Sequence, residues 1–487
     1  MTTTTVHADR AAPAPGAGDA SAGRPGWLLV TVLTGQFMAL LDVFIVNVAA
    51  ATLREDLGTS DARLQLIVAG YTIAYAVLLV TGARLGGRFG PGRLYLSGLG
   101  IFTAASLACG LAATDGQLLA FRVLQGVGAA AMMPQVLALI QRTFTGAAKA
   151  RALTLFAAVI ATGAAAGQIL GGVLINADLF GWGWRPVFLV NVPIGLLLLG
   201  VGLWALPLGR SRAADRARPL DLGGLLLLAV AVLLCTVPLV LGQERGWPAW
   251  CWLCMAGSGL VVAALVGYES RLAARGGAPL IAPRVLRATG TPMIAIFLVM
   301  ALNGGLLFSL ALHLQGPESQ GALGYGALRA GLTFLPMAIG FGATSLAWRA
   351  LPGRLLPALV PAGMLLVAGG MLSVGLLLRN GGDGGAVIFV GYVVTGVGMA
   401  LAYGPPLAEA LARVAPADAA DVSGVTAMVT QLGTLVGVAA FGALYLDRAA
   451  ARLSSADGVW TLSLALTATA LVGAVAGLRG ARSASGR

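Results

Sequence analysis

The chain has 487 residues, 58% of them hydrophobic and only 10% charged, with a mean hydropathy of +0.88. Soluble domains carry about 25% charged residues, so a soluble enzyme or scaffold is excluded. The net charge of +12 would suggest nucleic acid for a soluble protein, but here the basic residues lie between apolar runs, so a lipid bilayer is the expected partner and nucleic acid is not.

The apolar residues fall in runs of about 20, the length that crosses a hydrocarbon core. They lie at 27–50, 65–83, 94–113, 118–140, 152–175, 186–206, 220–241, 249–268, 291–313, 328–348, 356–377, 385–411, 422–445 and 459–478. The expected fold is therefore an all-α polytopic membrane protein of fourteen spans. With the N-terminus inside, 22 of the 31 Lys and Arg fall in inner segments and 8 in outer ones, leaving Arg122 within a span. Basic loops stay cytoplasmic, so a cell-membrane protein with both termini in the cytoplasm is expected.

Residues 1–26 are mostly Thr, Ala, Gly and Pro and are expected to form a disordered cytoplasmic tail. They lack the charged start and short apolar core of a removed signal peptide. The first span, WLLVTVLTGQFMALLDVFIVNVAAATL, holds Asp42 near its middle. A carboxylate there costs roughly 2.5–3.5 kcal/mol on insertion scales. Such groups line cavities or relay protons, although Asp42 could also serve packing alone. The loop GARLGGRFGPGR (82–93) forms a tight cationic turn containing Arg88 and Gly90.

The fourth span carries Arg122 at a depth close to that of Asp42, placing a cation beside the carboxylate or, otherwise, reaching to the headgroups. In the fifth, Gly163, Gly167 and Gly171 recur every four residues, a smooth stripe for close helix contact or for pivoting. Gln168 in the same helix needs a polar partner. Cys251 and Cys254 form a lone C-x-x-C, read as small apolar filler, and no metal site is expected. His313 and Glu409 lie near the ends of the ninth and twelfth spans, where interfacial positions compete with functional ones.

An internal repeat organises these spans. The fourth and twelfth both contain Gly-Val-Gly (126–128 and 396–398), then a proline (Pro134 and Pro405), then an arginine (Arg142 and Arg413); the fifth and thirteenth both carry spaced glycines. The offset of eight spans predicts two six-helix bundles, 27–206 and 289–478, joined by a linker (207–288) with two extra helices, and a short tail at 479–487. Matched halves rocking about a central site are the design of secondary transporters. The chain has no G-x-x-x-x-G-K-[ST] phosphate cradle, so transport would run on a gradient and no cofactor is expected.

Three stretches carry a resemblance: LDVFIVNVAA (41–50), FRVLQGVGAA (121–130) and WRPVFLVNVPIG (184–195). They resemble the major facilitator superfamily and, within it, its fourteen-helix drug:proton antiporters. The resemblance implies proton coupling or substrate binding at Asp42, proton transfer at Arg122 within an Arg-x-x-Gln-Gly motif (Arg122, Gln125, Gly126), and gating at Gly163, Gly167, Gly171 and Gly172. Leu85, Arg88 and Gly90 match the family's gating loop. The chain has Gly167-Gln168 where the family has Gly-Pro, and Gly87 where it has Asp. Glu409 is the next candidate for carrying protons.

The expected function is proton-coupled export of small, largely apolar drugs or antibiotics by alternating access, by a monomer with no enzymatic activity. Its cavity should be lined by the first, fourth, ninth, tenth and twelfth spans. The alternatives are a facilitator or importer of a small metabolite, or a membrane receptor that binds without transporting.

Overall fold

The computed structural model describes residues 24–178, 181–208, 221–242, 245–280, 283–379, 382–414, 419–452 and 454–485; some helical side chains within them, that of Gln168 included, lie outside the description, as do most of the expected N-terminal tail and the Arg-rich stretch 210–218. Among the described residues all regular structure is helical: α1 (Pro25–Leu57), α2 (Asp61–Phe89), α3 (Pro91–Gly110), α4 (Asp115–Thr143), α5 (Gly146–Ala177), α6 (Pro186–Leu189), α7 (Asn191–Ala205), α8 (Leu222–Leu241), α9 (Ala249–Ala274), α10 (Pro283–Gln315), α11 (Ala327–Thr333), α12 (Leu335–Ala347), α13 (Leu356–Leu378), α14 (Val387–Ala412), α15 (Ala419–Arg452) and α16 (Ser455–Ser485). Among the described residues, twelve helical stretches are long and apolar enough to cross a membrane. The third predicted run is α3, which Arg93 and several small polar residues dilute, and the fifth is α5, which contains side chains outside the description.

Local signals set the helix ends. Pro25 opens α1, and Gly58 closes it with φ 56°, a left-handed conformation that suits glycine. Ser60 caps α2 by accepting from the Arg63 N–H, and Thr114 caps α4 by accepting from Gln117, as short hydroxyl side chains do. Gly90, at φ 96°, turns the chain from α2 into α3, and Pro91 starts the new helix. Because the long helices alternate in direction, the first described residues mark one face of the molecule and the α1–α2 turn marks the opposite, far face.

Two predicted spans are interrupted. The sixth is the short α6 followed by α7, and the tenth is α11 followed by α12. Pro193 and Pro336 stand just inside α7 and α12; each lacks the N–H that would bond one turn back, and its ring crowds that carbonyl. The first break sets Asn191 at the head of α7.

Glycines bring the helices together in matching ways in the two halves. A Cβ on Gly128 of α4 would lie 2.6 Å from the Phe102 nitrogen of α3, and one on Gly398 of α14 would lie 2.7 Å from the Val367 nitrogen of α13. Gly126 likewise meets the Tyr71 carbonyl of α2, and Gly396 the Met337 carbonyl of α12. Gly167 of α5 meets Leu41 of α1, while Gly437 of α15 meets Ala301 of α10. The paired elements are thus α1 with α10, α2 with α12, α3 with α13, α4 with α14 and α5 with α15. Helix α8 lies between the halves: its Val240 clusters with Ala62 of α2 and Ala439 of α15. Asp221 ties its start to α9 and to the segment beyond, accepting from Gly224 N–H at 2.8 Å, Tyr268 hydroxyl at 3.1 Å and Leu280 N–H at 3.0 Å.

Candidate functional site

Helix α5 presses onto α1 around Asp42. A Cβ on Gly163 would lie 3.0 Å from Leu40 Cβ, one on Gly167 2.8 Å from the Leu41 carbonyl oxygen, and one on Gly171 2.9 Å from Ile45 Cγ1. The stripe therefore fixes α1 on both sides of the carboxylate. Gly172, one residue further, points elsewhere: its Cβ would lie 2.6 Å from the Ala327 carbonyl oxygen of α11, in the other half. Of the four candidate gating glycines, three hold α1 and one joins the halves.

The Asp42 side chain is fully buried and turned into the N-terminal half, among α3, α4 and α7. Arg122 of α4 donates to Asp42 Oδ2 at 2.5 Å. Oδ1 accepts from the Gln125 amide at 2.7 Å and from the Asn191 amide at 3.0 Å. Gln125 also accepts from Arg122 at 2.6 Å and donates to Ser106 Oγ of α3 at 2.8 Å. Arg122, 1% exposed, further donates to the Ile67 carbonyl at 3.4 Å. Its guanidinium carbon sits 4.7 Å from the centre of the Tyr71 ring and 5.6 Å from that of Phe188, contacts that favour a cation.

Burial decides the energetics. A buried ion costs several kcal/mol in lost hydration, which its partner offsets only with good geometry and further hydrogen bonds. Here both carboxylate oxygens are engaged by a cation and two amides. Removing either charge alone would leave the other stranded, at a cost of about 3–5 kcal/mol.

The structure brings together Asp42, Arg122 and Gln125, and separates them from Glu409. Glu409 is a correction to its candidacy within one site: its side chain is 47% exposed and paired with Arg413 one turn along α14, and it has no part in the buried cluster. Arg88 is exposed, with its guanidinium over Phe89, and Gly90 is the strained turn already described. The position a Cβ would take on Gly87 is open, with no heavy atom within 4 Å, so the acidic residue usual in the family has room there. Asn191 and Ser106 are the participants that sequence reasoning missed. Asn191 stood in a quoted motif without a role; a polar amide beside a helix break was its signal. Ser106 offers none, because a lone serine in a membrane helix bonds its own backbone just as well.

Between the halves lies a cavity of about 20 Å³, room for roughly one water. Val43, Phe44, Asn47, Val68 and Thr72 line it from one half and Asn303, Leu307, Thr434 and Val438 from the other. It is uncharged, and its walls are α1, α2, α10 and α15; a larger cavity of about 350 Å³ lies in the C-terminal half, where Arg329 and Leu332 of α11 and Ile388 and Phe389 of α14 line it. The polar face of α4 is occupied within its own half, by Asp42 and Ser106. Asp42 sits beside the lining residue Val43 and is turned away from the cavity.

The family model described as Major Facilitator Superfamily matches residues 32–438. The chain belongs to the major facilitator superfamily. It is 38% identical to the probable actinorhodin transporter of Streptomyces coelicolor, over 88% of this chain and 75% of the relative. It is 33% identical to the methylenomycin A resistance protein of the same species, over 91% of this chain and 90% of that one. The cephamycin export protein of Amycolatopsis lactamdurans is 35% identical, over 84% and 83% of the two chains. Among solved structures, a bacterial homolog of the human lysosomal transporter Spinster, inward-facing and occupied, superposes with a TM-score of 0.61 at 16% identity, covering 94% of this chain and 97% of that one. An auto-inhibited peptide transporter of the POT family gives a TM-score of 0.63 at 18% identity, covering 92% and 96%. Both share the fold.

Proposed function

We propose that this protein exports small, largely apolar drugs or antibiotics from the cell in exchange for protons, by alternating access between its two halves. The buried Asp42–Arg122–Gln125 cluster carries this reading. A proton placed on Asp42 cancels its charge, so Arg122 loses the partner that holds α4 to α1 and the helices are freed to shift. The glycine stripe of α5, lying along α1, transmits that shift to the far-face contact at Gly172. The space between the halves carries no charged side chain, which favours an uncharged substrate once the halves part, and the relatives named as antibiotic transporters and resistance proteins support that class.

In this reading fourteen helical passes cross the membrane, with the face of the first described residues and both termini in the cytoplasm. A monomer of two six-helix bundles, 27–206 and 289–478, does the work, and 207–288 supplies the two added helices. The substrate is moved and not chemically converted.

Inside-out vesicles with an acidified lumen test the proposal. Wild-type protein should concentrate an apolar antibiotic inside them, and a protonophore should abolish the accumulation. Accumulation that ignores the pH gradient would mean a facilitator, and binding without accumulation would mean a receptor.

A further inference from the structure

The proposed coupling site uses only the N-terminal half. At the far face of the C-terminal half, α10, α15 and α16 enclose a histidine for which that coupling has no use. His313 is fully buried. Its Nδ1 lies 2.7 Å from Ser455 Oγ, which in turn lies 2.6 Å from the Tyr445 hydroxyl. Among the described residues Nε2 meets no hydrogen-bonding atom, and neither does Ser309 Oγ, one turn earlier on the same face of α10. Gln65 of α2 enters this region from the other half. A Cβ on Gly442, one turn before Tyr445 on α15, would lie 2.9 Å from Phe308 and 3.3 Å from Gln65 Nε2. Neither amide atom of Gln65 has a hydrogen-bond partner among the described residues. Buried polar groups normally find partners, so both halves hold unsatisfied groups where they close on each other.

We propose that His313 is a second proton-binding site, on the C-terminal half, and that charging its ring opens the far-face contact between the halves.

The chemistry is as follows. A ring carrying protons on both nitrogens needs two acceptors. Ser455 Oγ serves Nδ1 when its own hydroxyl turns to Tyr445, but Nε2–H has no acceptor inside the contact. α10 is apolar around it, with Leu310, Leu312 and Leu314 all buried. Charged groups carried toward this end by the surrounding elements include Arg54 of α1 and Asp61 of α2, paired at 3.1 Å and close enough to act on Tyr445. They also include Glu318 of the segment that follows α10 and bonds back to His313 and Leu314, Arg329 of α11, Arg379 beside Trp460 of α16, Asp447 and Arg448 of α15 and Asp457 of α16. Tyr325 and Tyr392 are further titratable groups. None of these carboxylates forms an ion pair with His313 among the described residues. A positive ring is therefore favoured where water reaches it, which is the opened far face. On the proposed orientation, protons outside the cell would favour the state that releases substrate there. That direction rests on the export reading; the opening itself does not.

The test uses the full chain with its four cysteines replaced by alanine and a reporter, Ala62→Cys, at the far-face contact. Its reaction with an impermeant thiol reagent is normalised to that of an exposed control, Gly116→Cys. Labelling should rise about tenfold as the pH falls from about 8 to about 5, the range in which a histidine titrates. His313→Gln keeps a hydrogen-bonding group beside Ser455 but cannot become charged. On the proposed coupling Asp42→Asn stands for the protonated carboxylate and raises labelling at every pH. The rise on acidification should persist in it, and His313→Gln added to it should abolish that rise, so failure of the proton-coupled export reading is separable from failure here. A rise that survives His313→Gln in the Asp42→Asn background, or no rise in the parent chain, would overturn the proposal. Should His313→Gln fail to fold, the parent chain decides. It has two histidines, and ¹⁵N-imidazole spectra should show His313 becoming charged with the same midpoint as the labelling; a ring that stays neutral while the contact opens would also overturn it.

Discussion

The two halves share a backbone and differ in what they bury. Gly126 and Gly128 of α4 meet α2 and α3 as Gly396 and Gly398 of α14 meet α12 and α13. Four residues before the first glycine of each pair, the N-terminal half carries Arg122 and the C-terminal half Tyr392, and both are fully buried. One residue before, it carries Gln125 against Thr395, whose hydroxyl bonds back to Gly391 of its own helix. The packing scaffold needs only small residues at the crossings and so is common to both halves. Charge is another matter: each buried ion demands a complete set of partners, and one half has assembled them around Asp42. The comparison teaches that the buried ion pair has been built into a single half of a matched frame, while the other half buries the His313–Ser455–Tyr445 chain instead.

Removing one charge from the N-terminal cluster should break the comparison most severely. Asp42→Asn or Arg122→Gln alone should cost about 3–5 kcal/mol, read as a large fall in thermal unfolding temperature in detergent, with loss of proton-driven accumulation. The double variant should regain much of the stability and none of the coupling, because no charge is left stranded. Additive losses would show that the two groups do not act as a pair.

The shared packing should respond alike in both halves. Gly167→Leu and its counterpart Gly437→Leu each force a side chain against a backbone carbonyl, and each should cost about 1–3 kcal/mol as overpacking does. Both proteins should still reach the membrane, but Gly167→Leu should abolish transport because it displaces α1 at Asp42. Wild-type flux in Gly167→Leu would make the stripe incidental to function.

The smallest effect is expected at Tyr392. Its hydroxyl has no hydrogen-bond partner among the described residues, so Tyr392→Phe should be neutral or slightly stabilising, within about 0.5 kcal/mol, and transport should persist. A loss comparable to that of Arg122→Gln would show that the α14 position matching Arg122 also carries a buried polar interaction, and would dissolve the asymmetry.

The sequence alone supports a great deal of this. Runs of about 20 apolar residues predict membrane helices because only a helix satisfies its own backbone in hydrocarbon. The spacing of Gly163, Gly167 and Gly171 announces a close crossing, and Asp42 and Arg122 stand out because charge is rare at such depth. The repeat of Gly-Val-Gly foretells the matched halves. Asn191 and Ser106 could not be assigned to the site in the same way, since neutral polar residues are common in such helices and their roles depend on which way a neighbouring helix faces. Glu409 is already legible as a residue near the end of its span, and the structure adds that its side chain is 47% exposed and paired with Arg413, where Asp42 is fully buried.

What the amino-acid order settles here is periodic and local: which stretches enter the bilayer, where helices start and stop at Ser60, Gly90 and Thr114, and where they pack closely. Only the tertiary structure decides that Asp42 turns into its own half and away from the inter-half cavity, that Gly172 faces the opposite half from its neighbour Gly171, and that His313 meets Ser455 and Tyr445. These depend on the rotation of each helix about its axis, and one residue along a helix turns a side chain by about 100°. Such a rotation follows from the packing of all the helices together, which no single stretch of sequence contains.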